Sequence, residues 1–300
     1  MTTPTYSICI VTFKARNYLR DCLNSIYQSP PQKPFEIIVV DNRSEDGTIE
    51  MLEAEFSQVR YAVEEKNEGY TRPMNRALQM GTGQYLVQLN PDTLVHPGAF
   101  DRLDCFMQDH PRAGICTPKV LNRDGSLQKQ CRRSAARPWD TITYFSGLSR
   151  RFPKSKRFAR YLMTYLPEDE PNEVEAVSGS FMMIRREVIE QIGYLDNQFF
   201  AYQEDADFCF RAREAGWQVY YVPAAQIVHY GGEGGSKVAV YHSIYQWHRS
   251  YYLYYKKHLA RDYFFLINWM MYLLMAGKLA LALFSALMRR DKVAGTRKPK

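Results

Sequence analysis

Short apolar runs alternate with amphipathic stretches through the first third of the chain. Residues 6–11 are almost continuously apolar, and their length fits a strand buried on both faces. Leu19, Cys22, Leu23 and Ile26 then recur at helical spacing. Residues 35–40 form a second, β-branched run that ends in Asp41, and 42–47 have the composition of a turn. Ile49, Leu52 and Phe56 mark another helix, and 59–63 a third strand. After the loop Asn67-Glu68-Gly69, the residues Met74, Ala77 and Leu78 line one helix face up to Gly81, with Pro73 in the tolerated first turn. A fourth strand, 85–89, closes on Asn90-Pro91-Asp92. Strands alternating with helices predict an α/β fold with a mainly parallel sheet covered on both faces. Ligands of such sheets sit outside the carboxyl ends of the strands, which places Thr12, Phe13, Asp41 and 90–92 around one site.

The pattern weakens between about 118 and 172, a basic segment. It returns at 177–184, read as one buried strand, followed by a helix ending at Gly193. A helix is expected over 204–215, stopped by Gly216, and then two short strands, 219–222 and 226–229. Beyond a glycine-rich loop, 231–235, the chain becomes helical and very aromatic.

Composition narrows the reading a little further. Apolar residues at 46% and charged residues at 24% suit a globular domain with a sizeable core. The net charge of +7 gathers in two clusters, 129–160 and 289–300, which alone do not choose between nucleic acid, anionic lipid and a phosphorylated substrate. The six cysteines are scattered without a CxxC pair, so neither a zinc cluster nor a disulfide framework is expected. Cys9 and Cys22 read as small core residues. The N-terminus lacks a basic start followed by an apolar stretch, so no signal peptide is expected and the catalytic part is placed in the cytoplasm.

Three places carry candidate chemistry. Asp92 follows a buried strand, where a carboxylate needs a partner or a metal, and a hard cation such as Mg2+ or Mn2+ would suit it. Read alone, the triplet Asn90-Pro91-Asp92 is first of all a turn. The run Tyr202-Gln203-Glu204-Asp205-Ala206-Asp207 opens a helix, where the dipole favours ionised carboxylates and one of them could accept a proton from an attacking hydroxyl. Asp207 reads instead as a partner for Arg211 one turn later. His229 ends a strand and precedes Tyr230-Gly231-Gly232; it is either a hydrogen-bonded structural residue or a further metal ligand.

In this order the motifs resemble a family 2 glycosyltransferase with the nucleotide-binding GT-A fold. The residues that carry the resemblance are Val11-Thr12-Phe13, the run from Val39-Val40-Asp41 to Gly47-Thr48, Asn67-Glu68-Gly69-Tyr70, Asn90-Pro91-Asp92 and Glu204-Asp205. It implies that Thr12 and Asp41 contact the base and ribose, with Phe13, Asn67, Arg72 and Asn90 completing a nucleotide site. It implies a metal, Mg2+ or Mn2+, held by Asp92 with His229, and Asp205 beside Glu204 as catalytic base. Two departures matter: asparagine replaces the first acid of the Asp-x-Asp motif, and Arg72-Pro73 stands where relatives carry small residues. Arg72 could touch a phosphate or be a solvated surface charge. Gly114-Ile115-Cys116-Thr117-Pro118-Lys119 and Val177-Ser178-Gly179-Ser180-Phe181 are similar to the rhamnosyltransferase branch. That branch implies inverting transfer from dTDP-L-rhamnose onto a lipid-linked diphosphate saccharide of a cell-surface polysaccharide; galactofuranosyl and other UDP-hexosyl transferases share the pattern.

The expected division is a catalytic domain, 1–235, and a membrane-association segment, 236–300. Residues 263–288 are apolar apart from Asn268, Lys278 and Ser285, and basic residues stand at both ends, Lys256 and Lys257 before, Arg289, Arg290 and Lys292 after. The length would allow a span, but a central lysine makes one costly. Tyrosines over 241–255 resemble an interfacial belt. A monotopic anchor on the cytoplasmic face of the membrane is therefore expected, with a span and a soluble homodimer helix as the competing readings. The 129–160 cluster would meet lipid phosphates or the acceptor diphosphate, or else be a solvated basic loop. Nucleic acid is not an expected partner. Against a sugar nucleotidyltransferase, Thr12-Phe13-Lys14-Ala15-Arg16 holds no glycine for a phosphate loop; against a non-catalytic nucleotide-sugar scaffold, Asp92 and Asp205 are both present.

Overall fold

The computed structural model describes residues 3–232 and 239–288. The basic C-terminal residues 289–300 and most of the glycine-rich loop 231–235 therefore lie outside the described residues.

The first half folds as its periodicity predicts. Strands β1 (Tyr6–Thr12), β2 (Phe35–Asp41), β3 (Arg60–Val63) and β4 (Tyr85–Leu89) alternate with helices α1 (Arg16–Gln28), α2 (Thr48–Glu55) and α3 (Thr71–Met80). The four strands pair in parallel in the order β3-β2-β1-β4. Their continuous apolar character follows from this: β1 and β4 are buried at every position, on both faces of the sheet. Leu19, Cys22, Leu23 and Ile26 form the buried stripe of α1, and Cys9 and Cys22 are core residues.

The second half extends the same sheet and departs more from the sequence reading. After β5 (Thr93–Val95) and α4 (Ala99–Asp109) comes β6 (Ala113–Leu121), a strand and helix that the periodicity reading passed over. The segment that had little pattern holds β7 (Arg132–Arg133), α5 (Pro138–Phe145), α6 (Leu148–Arg151) and β8 (Asn172–Glu173). The run 177–184 is not one strand: β9 (Ala176–Val177) pairs with β7 in a small separate sheet, and the chain turns at 178–180 before β10 (Phe181–Arg185) enters the main sheet. Helices α7 (Arg186–Ile192) and α8 (Glu204–Glu214) follow. The two short strands expected at 219–222 and 226–229 are a single strand, β11 (Gln218–His229), whose register shifts between Val222 and Gln226. Pro223, which cannot donate to a ladder, sits at that irregularity. The nine-stranded sheet runs β3-β2-β1-β4-β10-β6-β11-β5 with β8 on β11, and β10 is antiparallel to both neighbours. This is the expected mixed, mainly parallel α/β sheet.

Two helices finish the chain, α9 (Val240–Tyr254) and α10 (Phe265–Met288), joined by a π-helical turn, Tyr255–Leu259. Tyr254, Tyr255, Leu259 and Met271 are buried in the same core as the sheet. The tyrosines of 241–255 divide accordingly: Tyr241, Tyr245 and Tyr252 are exposed, while Tyr254 and Tyr255 are core residues rather than part of an outer belt.

Candidate active site

The carboxyl ends of β1, β2 and β4 do converge on one region. At the end of β2 the Asp41 carboxylate accepts from the Ser44 amide at 2.9 Å and from the Ser44 hydroxyl. Burial pushes its carboxyl pKa up, and the Ser44 donors oppose that. Asp41 lines a cleft of about 730 Å³ with Arg43, Gly47, Thr48, Val63 and Glu65. Thr12, at the end of β1, is buried, and its hydroxyl has no hydrogen-bond partner among the described residues. Phe13 follows it half-buried, with the Lys14 ammonium 5.7 Å from its ring centre.

Asn67 shapes the neighbouring loop rather than lining this cleft. Its carboxamide oxygen accepts from Asn42 and from the Gly69 amide, each at 2.9 Å. Gly69 is needed there: its φ is +84°, and a Cβ would meet the Phe200 carbonyl oxygen at 2.3 Å. Arg72 is exposed and paired with Glu68 one turn earlier at 3.1 Å. The solvated surface charge is the reading that this geometry favours for it.

The triplet after β4 forms the centre of the site. The Tyr70 hydroxyl donates to Asn90 Oδ1 at 3.1 Å, which turns the Asn90 amide group towards His229 Nε2 at 3.2 Å. On the other side of the ring, His229 Nδ1 lies 2.8 Å from Gln128 Oε1, and Gln128 Nε2 donates to Asn122 at 3.3 Å. These contacts fix the imidazole: Nδ1 carries the proton, and Nε2 presents a lone pair. That lone pair also faces Asp92 Oδ1 at 3.2 Å. Two electron-rich atoms turned on each other in a buried place are the donor set of a cation site, and the Nδ1–H bond to Gln128 is the outer-shell contact such a ligand needs. The residues present therefore fit a divalent cation, with Asp92 and His229 as its protein ligands. Among the described residues no group of three His, Cys, Asp or Glu side chains forms a metal cage, so a phosphorylated substrate would have to complete the coordination.

The second acidic group is Glu204 and Asp205. Burial first, and then the charges of Glu204, Asp205 and Asp92, raise the Tyr70 phenol well above its ordinary pKa. Glu204 and Asp205 open α8 after two residues held at positive φ, Tyr202 at 68° and Gln203 at 64°. Such strain persists only where the surroundings enforce it. Asp205 Oδ2 accepts from Arg133 at 2.7 Å and from the Gly179 amide at 2.9 Å, and Oδ1 accepts from its neighbour Ala206 at 2.7 Å. Only glycine allows that approach at 179, since a Cβ there would lie 2.3 Å from Gln88 Nε2. Burial opposes the Arg133 charge, but the Asp205 carboxylate holds the guanidinium more firmly protonated than usual. Burial, reinforced by Asp205, pushes the Glu204 carboxyl pKa upward, and Glu204 Oε2 has no hydrogen-bond partner among the described residues. Nor, among the described residues, do the hydroxyls of Thr12, Thr93 and Ser180. Buried polar atoms without partners collect where a ligand or water satisfies them.

Asp207 has the structural role expected of it, and more. It pairs with Arg211 at 2.9 Å, and also with Lys257 at 2.6 Å and His258 at 2.7 Å. Burial raises its carboxyl, yet the His258 hydrogen bond, Arg211 and Lys257 hold the pKa down at about 2. Lys257 is thus a strut between α8 and the turn after α9, not a free flanking charge.

Gln128, Arg133 and Gly179 were not singled out from the sequence. Arg133 was hidden inside a basic cluster, and Gly179 inside an apolar motif whose turn has no periodic signal.

The chain is similar to several known proteins. It is 28% identical over 257 residues to the N-acetylglucosaminyl-diphospho-decaprenol L-rhamnosyltransferase of Mycobacterium tuberculosis, covering 80% of this chain and 82% of that protein. It is 26% identical to the low-salt glycan biosynthesis hexosyltransferase Agl10 of Haloferax volcanii, over 74% of this chain and 66% of that one. Among solved structures, its fold resembles the mannosyltransferase PcManGT of Pyrobaculum calidifontis in complex with GDP-Man and Mn2+, with TM-score 0.59 and 16% identity over 99% of this chain and 77% of that one. It also resembles GalNAc-T7 with UDP, GalNAc and Mn2+, with TM-score 0.60 and 17% identity over 85% of this chain and 48% of that one. Residues 4–263 match the model of the family described as glycosyltransferase like family 2, and the chain belongs to that family.

Proposed function

We propose that the chain transfers L-rhamnose from dTDP-L-rhamnose, with inversion, to a lipid-linked diphosphate saccharide at the cytoplasmic face of a membrane. The observation that carries this reading is the pairing of Asp92 with a tautomer-fixed His229, together with the buried Glu204–Asp205 pair that opens α8. The mycobacterial rhamnosyltransferase, whose name states a diphospho-decaprenol acceptor, supports the choice of donor and acceptor.

The donor nucleoside enters the cleft beside Asp41, next to Thr12 on the neighbouring strand. Asp92 and His229 would hold Mg2+ or Mn2+, which neutralises charge on the departing diphosphate. Asp205 faces the acceptor side. Its carboxylate takes the proton from the acceptor hydroxyl as that oxygen bonds to the anomeric carbon and the bond to the diphosphate breaks. Arg133 and the Gly179 amide hold one carboxylate oxygen, which orients the group for that transfer. The division at 235/236 is one of role, since α9 and α10 share the catalytic core.

The outer face of α10 supports the monotopic placement. Helix α10 has 24 residues, long and apolar enough to cross a membrane. Two of its three polar residues, however, face the protein, Ser285 being exposed: Asn268 bonds Tyr255, Ala260 and Tyr263, and the Lys278 ammonium lies over the rings of Phe145 and Trp247. Leu266, Trp269, Leu273, Leu281, Phe284 and Leu287 are exposed on the opposite side. A helix packed along one flank and apolar along the other lies in the membrane interface.

The test is calorimetric titration with dTDP-L-rhamnose, UDP-glucose and UDP-galactofuranose, with and without Mg2+ or Mn2+, followed by transfer to a polyprenyl-diphosphate N-acetylglucosamine. Metal-dependent binding of dTDP-L-rhamnose that Asp92→Ala abolishes is the expected result. Preference for a UDP-sugar replaces the donor, and binding of none by folded protein refutes the catalytic reading.

A further inference from the structure

The basic cluster at 129–160 has two fates in the fold. Arg132 donates to the carbonyls of Leu166 and Pro167, Arg133 binds Asp205, and Arg137 and Arg160 pair with Glu175. These four are internal struts. Arg150, Arg151, Lys154, Lys156 and Arg157 are exposed, and among the described residues none of them makes an ion pair. They occupy the end of α6 and the turn after it. Beside them stand three aromatic side chains that a soluble surface would hide: Trp139 at 45% exposure, and Phe145 and Phe152 each at 46%. The patch adjoins α10, because the Lys278 ammonium on the protein-facing side of that helix lies 3.5 Å from the centre of the Phe145 ring.

We propose that the α5–α6 hairpin and the turn after it are a second membrane contact, one that recognises anionic lipid headgroups. This rests on the monotopic reading of α10 and gives it a lipid preference and an orientation. Apolar side chains of α10 enter the acyl boundary, while Phe152 and Trp139 reach the headgroup level and the surrounding guanidinium and ammonium groups bind lipid phosphates. Unpaired basic groups grouped around exposed aromatics are complementary to such a surface, and no compensating acid lies among them: Asp140, the acid of α5, is buried beneath. The arrangement also sets which half of the cleft faces the bilayer. The segment that ends in this patch begins at Arg133, which holds Asp205, whereas the donor cleft beside Asp41 lies on the strands of the other half of the sheet. A lipid-borne acceptor would arrive on the Asp205 side while a water-soluble donor enters from the other.

The test uses the full chain and flotation on two kinds of vesicle, phosphatidylcholine alone and phosphatidylcholine with about a third replaced by phosphatidylglycerol. The wild type is expected on both, with a strong, salt-sensitive preference for the anionic vesicles. Replacing Arg150, Arg151, Lys154, Lys156 and Arg157 together by Gln should lower that preference by on the order of 100-fold or more, leaving binding to neutral vesicles in place. Because these side chains are exposed and make no ion pair among the described residues, with only Arg151 and Arg157 lying over neighbouring rings, the thermal melt should move little. Phe152→Ala should weaken binding to both vesicles about ten-fold. Equal wild-type binding to both vesicles, or an anionic preference that survives the neutralised patch, overturns the proposal. Failure of the underlying anchor reading looks different: no binding to neutral vesicles, or a stable dimer in solution that buries α10.

Discussion

Gln128 offers a sharp test of the metal-site geometry, because it touches neither substrate nor metal. Its side chain is held by Asn122 at 3.3 Å so that Oε1 accepts the proton of His229 Nδ1 at 2.8 Å. Gln128→Leu keeps roughly the volume and removes the acceptor. The lost hydrogen bond is worth about 1 kcal/mol, or roughly five-fold in an equilibrium constant. The imidazole is then also free to carry its proton on Nε2, where it would point at Asp92 instead of offering a lone pair. Outer-shell substitutions of this kind lower metal affinity by about 10–100-fold, and a loss within that range is expected here. The assay is the Mn2+ concentration that half-saturates nucleotide binding, measured by calorimetry with dTDP. Gln128→Glu, which keeps an acceptor for Nδ1–H, should recover most of the loss, and His229→Ala should exceed it. An unchanged Mn2+ dependence in Gln128→Leu, alongside a large loss in His229→Ala, would refute the tautomer argument. Loss in neither would remove His229 from the metal site.

Asp205→Asn keeps the shape but cannot take a proton, and kcat should fall by about 10²–10⁴-fold while donor affinity in calorimetry stays within a few-fold. Glu204 has a raised carboxyl pKa, so its contribution to stability is complete below the ordinary carboxylate range and is lost as pH rises towards about 8. Glu204→Gln should therefore flatten the fall in melting temperature between mildly acidic and mildly alkaline pH; an identical pH profile would show that Glu204 is charged in the fold. Asp207→Asn leaves Arg211, Lys257 and His258 without their shared anion, at a cost of about 3–5 kcal/mol by chemical denaturation. The depressed Asp207 pKa gives the opposite sign: its contribution is present above the ordinary aspartate range and disappears as pH falls through about 2.

The parts of this protein that could be read from its sequence are those governed by local periodicity. β1, β2 and β4 are mostly apolar runs because they lie inside the sheet, and a polar residue closes or directly follows each, at Thr12, Asp41 and Asn90. That is why Thr12, Asp41 and Asp92 were found. Arg133 was not, because its role is defined by a contact 72 positions away, with Asp205. No window of sequence distinguishes it from Arg150 or Arg151, yet one is a buried support for a carboxylate and the others are bare charges on the surface. The same holds at 177–184, where composition favours one strand and the need for a Gly179 amide at Asp205 imposes a turn. Arg72 shows the same limit from the other side: motif position set it near the nucleotide loop, and in the fold its guanidinium pairs with Glu68 one turn earlier. Local pattern places a residue on an element and a face; what its charge does is decided by which distant segment the fold brings against that face. In this chain the segments brought together, β7, the 178–180 turn and the start of α8, meet only at the carboxylate assigned to catalysis.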